Sequence, residues 1–471
     1  MQKFQNNFKI FIAFSFLILF VGLTACKQDQ QNRIITLEVP ERPIEQENVL
    51  QLRCDPIPTV RVAFIGLGMR GNEAVRRFMY LEGVEVTAIC DINVNFIEKT
   101  QKLLAENGKP AALEFTGKED WKKVCELENV DLIYNCTPWY LHTTIAIYAM
   151  EQGKHVAIEV PAATTIEECW QLVNTAEKTR KHCMMLENCC YDFFEMATLN
   201  MAQQGVFGEI VHVEGAYIHD LRELNFNPPG DYGYQGMWRL DYNEKFKANL
   251  YPTHGLGPVC QILNIHRGDK MNYLTSMSTK QFGITEYAKN RFGEDSDYAQ
   301  RTYNKGDMNT TLIQTEKGKT ILIQHDVTSP RPYNRLHTVS GTKGFAAKYP
   351  IQGIALEPNA HHFLSQEEMQ KLLAEYEHPI VKEVGQKAKE VGGHGGMDFI
   401  MDYRLIYCLR NGLPLDQDVY DAAEWSSLVE LTEISVNNNS APVQVPDFTR
   451  GDWNKLNKLV FMEHMKEQNQ Q

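Results

Sequence analysis

The stretch RVAFIGLGMRG, residues 61–71, decides the fold of this chain. Its first part, residues 62–65, is apolar and partly β-branched, which is typical of a buried strand. Three glycines and an amphipathic helix follow, and strand, G-x-G-x-x-G turn and helix in this order form the dinucleotide-binding fingerprint. Gly66 permits the tight turn, Gly68 leaves room for phosphate oxygens against the backbone, and Gly71 lets the helix pack closely.

An acidic residue stands where such a site contacts the adenosine ribose. The apolar run 84–90 predicts the second strand, and Asp91 follows it. The separation from the glycines is the roughly 20 residues that place an acid on the ribose hydroxyls. A carboxylate there repels a 2′-phosphate, so the sequence predicts NAD rather than NADP as the cofactor.

Strands and helices alternate through residues 59–187, the predicted cofactor domain. After the first two strands, further strands are predicted at 131–136, 153–161 and 183–187, and helices at 96–105, 143–152 and 166–180. This alternation predicts an α/β fold with a doubly wound parallel sheet, the Rossmann arrangement.

A second α/β domain is predicted over residues 188–471. Longer strands separated by short turns are predicted at 210–217, 273–279, 308–315, 320–327 and 335–340. This pattern favours an open, mainly antiparallel sheet with one covered face. Residues 221–250 are predicted as a loop, and its length suggests a functional role. The chain turns helical after Phe363, with helices at 397–410 and 419–435.

The first 26 residues predict an export signal. Lys3 and Lys9 precede an apolar run of about a dozen residues, which is too short to span a bilayer comfortably. Leu23-Thr-Ala-Cys26 resembles a bacterial lipobox, in which the cysteine is lipidated and becomes the mature N-terminus. We therefore predict a lipoprotein held at a cell-envelope membrane, on its periplasmic or outer face, with residues 27–58 as a polar tether. A plain signal peptide or an anchor helix is the alternative.

Composition argues against several partners and sites. Because the net charge is −13, neither nucleic acid nor an anionic membrane surface is an expected partner. Eleven cysteines include Cys26, and the others show neither a disulfide framework nor metal-ligand spacing. Free cysteines and no metal site are therefore predicted. The sequence leaves the oligomeric state open, a homo-oligomer included.

A set of short features lies between residues 66 and 161, in a likeness that covers roughly residue 59 to the C-terminus: Gly66-x-Gly68, Asp91, Thr137-Pro…His142, Gly153-Lys-His-Val and Glu159-x-Pro161. Together they resemble the glucose-fructose oxidoreductase/inositol dehydrogenase family. This resemblance implies a Rossmann domain whose nicotinamide lies against the open sheet of the second domain. Dehydrogenases of that family carry Glu-Lys-Pro, whose lysine moves a proton near the substrate hydroxyl, whereas here Val160 takes that place. Since valine cannot move a proton, the ordinary dehydrogenase mechanism is not expected.

Further motifs lie across both predicted domains: Gly68-Met-Arg-Gly71, Cys90-Asp91-Ile, Thr137-Pro-Trp-Tyr-Leu-His142, Glu159-Val-Pro-Ala162, Glu187-Asn188-Cys-Cys-Tyr191, Tyr217-x-His-Asp-Leu-Arg222, Trp238-Arg239, Tyr251-Pro-Thr-His-Gly255 and Pro332-Tyr333-Asn. They resemble glycoside hydrolase family 109, bacterial α-N-acetylgalactosaminidases that hold NAD. The resemblance implies a glycan substrate with terminal N-acetylgalactosamine. It also implies a redox-neutral mechanism. C3 of the sugar is oxidised, a base removes the C2 proton, the aglycone leaves C1, water adds, and C3 is reduced again. This differs from hydrolysis by paired carboxylates.

The same resemblance, with the fingerprint, assigns two sets of residues. The cofactor is expected to be lined by Gly66, Gly68, Met69, Arg70, Asp91, Trp139, Tyr140, Leu141, His142, Glu159, Val160 and Asn188. The sugar is expected to be lined by Tyr217, Arg239, Tyr251, Pro252, Thr253, His254 and Tyr333.

Three of these residues are the predicted catalytic groups. His254 suits the base at the C3 hydroxyl, because imidazole titrates near neutrality, and its sequence context predicts a helix N-terminus. Tyr217 and Tyr333 are predicted to bond the sugar or move protons, and either is a candidate for the C2 base. A helix-capping histidine, packing tyrosines and a surface Arg239 are the alternatives. The segment His394-Gly-Gly-Met-Asp398 begins a predicted helix and resembles a family segment. No firm role is predicted for it, and support of the site from behind or a helix cap are the alternatives.

Two other functions stay open at this point. An NAD-dependent sugar dehydrogenase needs a pool of free NAD after export, and Val160 also argues against it. A non-catalytic sugar-binding lipoprotein is disfavoured because Asp91 and His254 are both present.

Overall fold

A computed structural model describes residues 34–227 and 234–462. The predicted export signal and its lipidation site, Cys26, lie outside the described residues. Within those two ranges no helix is both long enough and apolar enough to cross a bilayer. The ten cysteines in this part of the chain are free, and eight of them are buried, which confirms the prediction of free cysteines.

The first sheet has six parallel strands in the order β3-β2-β1-β4-β5-β6. Its strands are β1 (Val60–Ile65), β2 (Val84–Cys90), β3 (Leu113–Phe115), β4 (Leu132–Asn135), β5 (His155–Ile158) and β6 (Cys183–Met185). Its helices are α1 (Met69–Phe78), α2 (Val94–Glu106), α3 (Asp120–Cys125), α4 (Trp139–Glu151) and α5 (Ile166–Thr179). The strand order reverses between β1 and β4, so ligands are expected at the carboxyl ends of these strands.

This arrangement confirms the predicted doubly wound sheet. The short elements β3 and α3 were not predicted, because three to six residues carry too little periodicity. The helix predicted to begin at residue 143 begins at Trp139, since Pro138 takes its N-cap position with extended backbone.

The second sheet has eight strands in the order β13-β12-β11-β7-β10-β9-β8-β14. All neighbours are antiparallel except β7 and β10, which confirms an open, mainly antiparallel sheet. Its strands are β7 (Ile210–Ile218), β8 (Met271–Ser278), β9 (Asn309–Thr315), β10 (Thr320–Asp326), β11 (Asn334–Gly341), β12 (Gly344–Ala347), β13 (Gly353–Leu356) and β14 (Val443–Gln444).

Helices pack against one face of the second sheet, and some of them also contact the first sheet. They are α6 (Phe193–Gln203), α7 (Arg222–Asn225), α8 (Trp238–Lys245), α9 (Thr253–Leu263), α10 (Gly283–Phe292), α11 (Asp297–Gln300), α12 (Gln366–Glu375), α13 (Pro379–Val391), α14 (Met397–Asn411) and α15 (Val419–Asn437). Helix α14 packs on α1 and β1, and α15 contacts both α5 and β8. Because α15 contacts β6 of the first sheet and β8 of the second, while α14 packs on β1, one apolar core runs through the two halves.

The prediction of a loop over residues 221–250 is wrong for its described part. This stretch contains α7, α8 and a 3-10 turn at Gln235–Met237, while residues 228–233 lie outside the described residues. Phe226 and Leu240 join a small separate core with residues of α10 and α11. Tertiary packing rather than local propensity stabilises such short helices, so sequence periodicity did not find them.

Residues 27–58 were predicted as a polar tether, but the described part, residues 34–58, lies along the folded body. Ile35 exchanges backbone hydrogen bonds with the strand at β14, through Pro442 O and Gln444 N, each 2.8 Å long. Arg42 pairs with Glu177 on α5 at 3.2 Å. Since this segment also buries apolar side chains, Val49 and Leu52 among them, it belongs to the core rather than to a linker.

Candidate active site

A cleft of about 550 Å³ opens at the carboxyl ends of β1, β2 and β4. It brings together eleven of the twelve predicted cofactor residues: Gly66, Gly68, Met69, Arg70, Asp91, Trp139, Tyr140, Leu141, His142, Glu159 and Val160. Asn188 does not line this cleft but is tied to it through Asp398, which bonds both Asn188 and Arg70.

The glycine turn has the shape that a pyrophosphate needs. Gly66 has φ +86°, and a Cβ added there would lie 2.7 Å from the carbonyl carbon of Cys136. A Cβ added at Gly68 would meet no atom within 4 Å, so the backbone at Gly68 is open to the cleft. The first turn of α1 carries no acidic residue, and its unpaired N–H groups suit an anion. These features fit the phosphates of a dinucleotide.

Asp91 has a second role that the sequence did not show. Its Oδ2 accepts from the backbone N–H of Leu67 at 2.7 Å, and its Oδ1 accepts from Asn93 at 2.8 Å. Burial raises the pKa of Asp91, and these two backbone N–H groups oppose that rise. The carboxylate thus orients the glycine turn while it remains in the wall of the cleft.

Replacing Asp91 with arginine is expected to weaken NAD binding roughly 10- to 150-fold, because a lost hydrogen bond to a charged group costs about 1.5–3 kcal/mol. Asp91→Asn is the matched variant. It keeps one acceptor oxygen and adds no cation, so its loss should be smaller. Titration calorimetry with NAD on protein stripped of cofactor measures both. Unchanged affinity in Asp91→Arg would mean that the ribose lies elsewhere.

The predicted sugar residues meet on the face of the second sheet. The ring of Tyr217, in β7, lies 4.8 Å from that of Tyr251, 5.1 Å from His254 and 6.2 Å from Tyr333, measured between centroids. His219, which was not predicted, lies 5.1 Å from Tyr333. Aromatic faces and polar tips on one surface suit a sugar ring.

A close contact between two glycines holds His254 beside Tyr217. Helix α9 begins at Thr253, so His254 lies in its first turn, as predicted. A Cβ added to Gly255 would lie 2.3 Å from the backbone N of Ala216, and one added to Gly215 would lie 2.1 Å from the carbonyl oxygen of Gly255. Larger residues would push α9 away from β7, so this spacing depends on glycine at both positions.

The carboxylate of Glu187 orients the His254 imidazole. Nδ1 of His254 lies 2.7 and 2.9 Å from the two carboxylate oxygens of Glu187, which is fully buried just beyond β6. Burial raises the pKa of Glu187, but its pairing with His254, together with hydrogen bonds from Thr253 and the backbone of Cys189, outweighs burial and holds that pKa below its ordinary value. An ionised Glu187 accepts the Nδ1–H, which leaves Nε2 of His254 free to accept a proton.

Sequence reasoning missed the role of Glu187, which it saw only as part of a motif. A usable signal was present. Glu187 follows directly on the apolar run Cys183-Met-Met-Leu, so it stands at the carboxyl edge of a parallel sheet, where ligands bind.

Glu187, His254 and Cys189 come within 4.8 Å of one another through one potential metal-ligand atom each. Two of these atoms already bond each other in the Glu187–His254 pair. The third, Sγ of Cys189, accepts from Nη1 of Arg335 at 2.9 Å, and burial raises the pKa of the thiol. The positive charge of the Arg335 guanidinium repels a metal cation, and a protonated thiol is a poor metal ligand. The geometry therefore favours a general base, His254, with its orienting acid, Glu187, over a metal centre.

The tyrosines of the sugar surface are suited to donating protons. Burial raises the pKa of Tyr217, Tyr251 and Tyr333, so all three hydroxyls stay protonated at neutral pH. A neutral phenol donates a hydrogen bond to a sugar or leaving-group oxygen. The role of C2 base requires the phenolate, which burial disfavours.

Arg239 is enclosed by four aromatic rings rather than lying on the surface. Its guanidinium carbon lies 4.1 Å from the centroid of Tyr234, 4.7 Å from Trp139, 5.0 Å from Tyr251 and 5.3 Å from Trp238. Nη1 donates to the hydroxyl of Tyr234 at 2.6 Å. Because Trp139 belongs to the cofactor cleft and Tyr251 to the sugar surface, Arg239 joins the two, and the predicted surface alternative is wrong.

Three of the predicted site residues, His142, Pro252 and Thr253, shape the backbone around the site. The ring nitrogens of His142 each lie 2.7 Å from a backbone carbonyl, those of Thr137 and Pro161, and so join two loops of the cleft. Pro252 is the N-cap residue of α9, and Thr253, its first residue, is fully buried. Pro252 and Thr253 directly precede His254, so their place at the start of α9 determines where His254 lies.

Comparison with known proteins gives a consistent result. Residues 191–455 match the family model described as Glycosyl hydrolase 109, C-terminal domain, and residues 60–187 match that described as Oxidoreductase family, NAD-binding Rossmann fold. The chain is 58% identical over 410 residues to an alpha-N-acetylgalactosaminidase of Bacteroides fragilis, covering 87% of this chain and 96% of that protein. It is 54% identical to glycosyl hydrolase family 109 protein 2 of Phocaeicola vulgatus, covering 87% and 99%.

Solved structures show the same fold at low sequence identity. A levoglucosan dehydrogenase in complex with NADH and levoglucosan has a TM-score of 0.61 at 16% identity, covering 82% of this chain and 100% of that one. An oxidoreductase domain protein from Kribbella flavida has a TM-score of 0.64 at 16% identity, covering 83% and 100%.

Proposed function

The chain belongs to the glycosyl hydrolase 109 family and carries an NAD-binding Rossmann domain, and we propose that it hydrolyses terminal α-N-acetylgalactosamine residues of glycans by an NAD-dependent mechanism. One observation carries the proposal: the Glu187–His254 pair and Tyr217 lie beside a cleft shaped for NAD. In this cleft Val160 replaces the lysine that a dehydrogenase of this fold would use.

Each residue of the site has a defined task in this reaction. Bound NAD supplies a hydride acceptor and donor for the sugar carbon. His254 removes the proton of the C3 hydroxyl through Nε2, while Glu187 holds the imidazole by Nδ1. The protonated phenols of Tyr217, which is half-buried, and Tyr333, which is exposed, donate to sugar oxygens or to the leaving oxygen. Arg239, fixed between aromatic rings, bonds the hydroxyl or acetamido oxygens of the sugar.

Two measurements on one purified sample test the proposed function. The bound cofactor is released by denaturation and quantified as NAD, and hydrolysis is followed with an aryl α-N-acetylgalactosaminide. We expect bound NAD and sugar release with no net gain in NADH absorbance. Accumulating NADH would instead favour the sugar dehydrogenase. Sugar binding with no turnover and no NAD would favour a non-catalytic binding protein.

We further propose that the mature protein is a lipoprotein anchored through Cys26. The support is the sequence alone: an apolar run after two lysines, ending in Leu23-Thr-Ala-Cys26. Cys26→Ser is expected to leave the precursor uncleaved or to release the protein from membrane fractions, because only the thiol accepts the lipid. Fractionation with immunoblotting measures this, with Cys54→Ser as the matched control. Wild-type processing and membrane association of the Cys26 variant would refute the anchor.

A further inference from the structure

Four polar side chains contact the carboxylate of Asp398, which lies in the first turn of α14. Its carboxylate is 1% exposed. Oδ2 accepts from Nη1 of Arg70 at 3.2 Å and lies 2.9 Å from Nδ1 of His394, and Oδ1 accepts from Nδ2 of Asn188 at 2.5 Å. Nη1 of Arg77 lies 3.5 Å from Oδ2. Asp398 stands 328 residues from Arg70 in the chain, on a helix that packs against the Rossmann sheet.

We propose that Asp398 is a positioning residue for the cofactor, which from α14 fixes Arg70 and Asn188 at the same time. The inference rests on the proposed NAD-dependent function. Arg70 follows the fingerprint glycines directly and lines the cleft. Asn188 lies next to Glu187, the orienting acid of His254.

The geometry at Arg70 shows what Asp398 contributes. Nε of Arg70 donates to Glu159 at 2.9 Å and Nη1 donates to Asp398, so the guanidinium is held at two of its three nitrogens. Within residues 34–227 and 234–462, no hydrogen bond involves Nη2, which is therefore available to a ligand in the cleft. Removing one of the two anchors would let the planar group rotate about the other.

The Asp398 carboxylate is ionised at neutral pH. Burial raises the pKa of Asp398, but Arg70, His394 and Arg77 outweigh burial and hold that pKa well below its ordinary value. Replacing Asp398 with asparagine, which has the same shape, would therefore remove the negative charge that pairs with Arg70. It would also present an amide N–H where the carboxylate accepts.

Asp402 is a matched control on the same helix. It lies one turn beyond Asp398 and is equally buried. It bonds Nε of Arg77 at 2.7 Å and the hydroxyl of Tyr134 at 2.8 Å. Burial raises the pKa of Asp402 to about 6, and neither Arg77 nor Tyr134 lines the cleft. Asp402 thus shares the structural setting of Asp398, with an arginine of α1 as partner, but not the link to the cofactor residues.

The experiment compares NAD affinity in Asp398→Asn and Asp402→Asn, measured by calorimetry on full-length protein stripped of cofactor, with the melting temperature recorded for both. We expect Asp398→Asn to raise the Kd for NAD at least about tenfold and Asp402→Asn to change it less than about threefold, although both lower the melting temperature. Equal losses of affinity would show that α14 merely supports the fold. A Kd for Asp398→Asn within threefold of wild type would overturn the proposal.

A double-mutant cycle shows whether Asp398 acts through Arg70. In an Arg70→Gln background, adding Asp398→Asn is expected to cost less than about twofold further, because the interaction is already lost. Fully additive losses would contradict the proposal. Should Asp398→Asn fail to fold, Asn188→Leu tests the other link, and an unchanged Kd for NAD in that variant would refute it. Wild-type protein that binds NAD but hydrolyses no glycoside would refute the proposed function and leave the role of Asp398 intact.

Discussion

Replacing His254 with alanine is expected to lower kcat roughly 10²–10⁴-fold, the usual effect of losing a positioned general base, while the protein keeps its bound NAD. The reason is geometric. Glu187 occupies Nδ1 of His254, so Nε2 is the atom left for the C3 hydroxyl, and Tyr217 packs against the same ring. Steady-state kinetics with an aryl α-N-acetylgalactosaminide and the NAD content of the purified variant measure the two parts of this prediction.

Two further variants separate catalysis from folding. Glu187→Gln keeps the size of the side chain but can present an N–H to Nδ1, which leaves the proton on Nε2, so we expect a loss of at least about tenfold. His212→Ala changes a half-buried histidine of β7 that bonds Thr320, well away from His254 in sequence, and should retain wild-type activity. Full activity in His254→Ala would exclude this histidine as the base. A parallel loss of NAD would assign it to cofactor binding instead.

The sequence predicted the parts of the fold whose buried faces repeat along the chain. The strand–turn–helix at residues 61–78 and the alternation that follows it have such a repeat, and the structure has the same order of elements. The two helices near residues 222–245 do not, because their stability comes from contacts with α10 and α11 that are distant in sequence. The segment 34–58 was misjudged for the same reason, since its partners lie on α5, β14 and α15.

The candidate site was predictable as a set of residues but not as a geometry. Sequence and resemblance placed His254 near the sugar and Arg70 near NAD. They could not show that Glu187 holds His254 or that Asp398 holds Arg70, because each pair joins elements far apart in the chain. A buried carboxylate has the same appearance in a sequence whether it pairs within the core or orients a functional group. Only the contact made by the partner distinguishes Asp398 from Asp402.

Hydrolysis in heavy water is expected to place deuterium at C2 of the released sugar. The motivating observations are Val160 in place of a catalytic lysine and a histidine base beside the NAD cleft. Oxidation at C3 acidifies the proton on C2, a base removes that proton, and exchange with solvent follows before the bond to C2 hydrogen is restored. Hydrolysis by paired carboxylates never breaks the C2–H bond, so it would leave protium there.

Mass spectrometry and proton NMR of the released N-acetylgalactosamine measure this incorporation, and free sugar incubated with His254→Ala in heavy water controls for exchange without catalysis. Product with only protium at C2 would contradict elimination, unless the base returns the same proton without exchange. Substrate deuterated at C2 separates these cases. Internal return still breaks the C2–H bond, so deuterium at C2 slows the reaction by a primary isotope effect where this step limits the rate. Substrate deuterated at C3 tests the oxidation step in the same way. Protium-only product with no isotope effect at either carbon, measured under conditions where bond cleavage limits the rate, would rule out oxidation and elimination together. It would require a hydrolytic mechanism in which NAD has no chemical part.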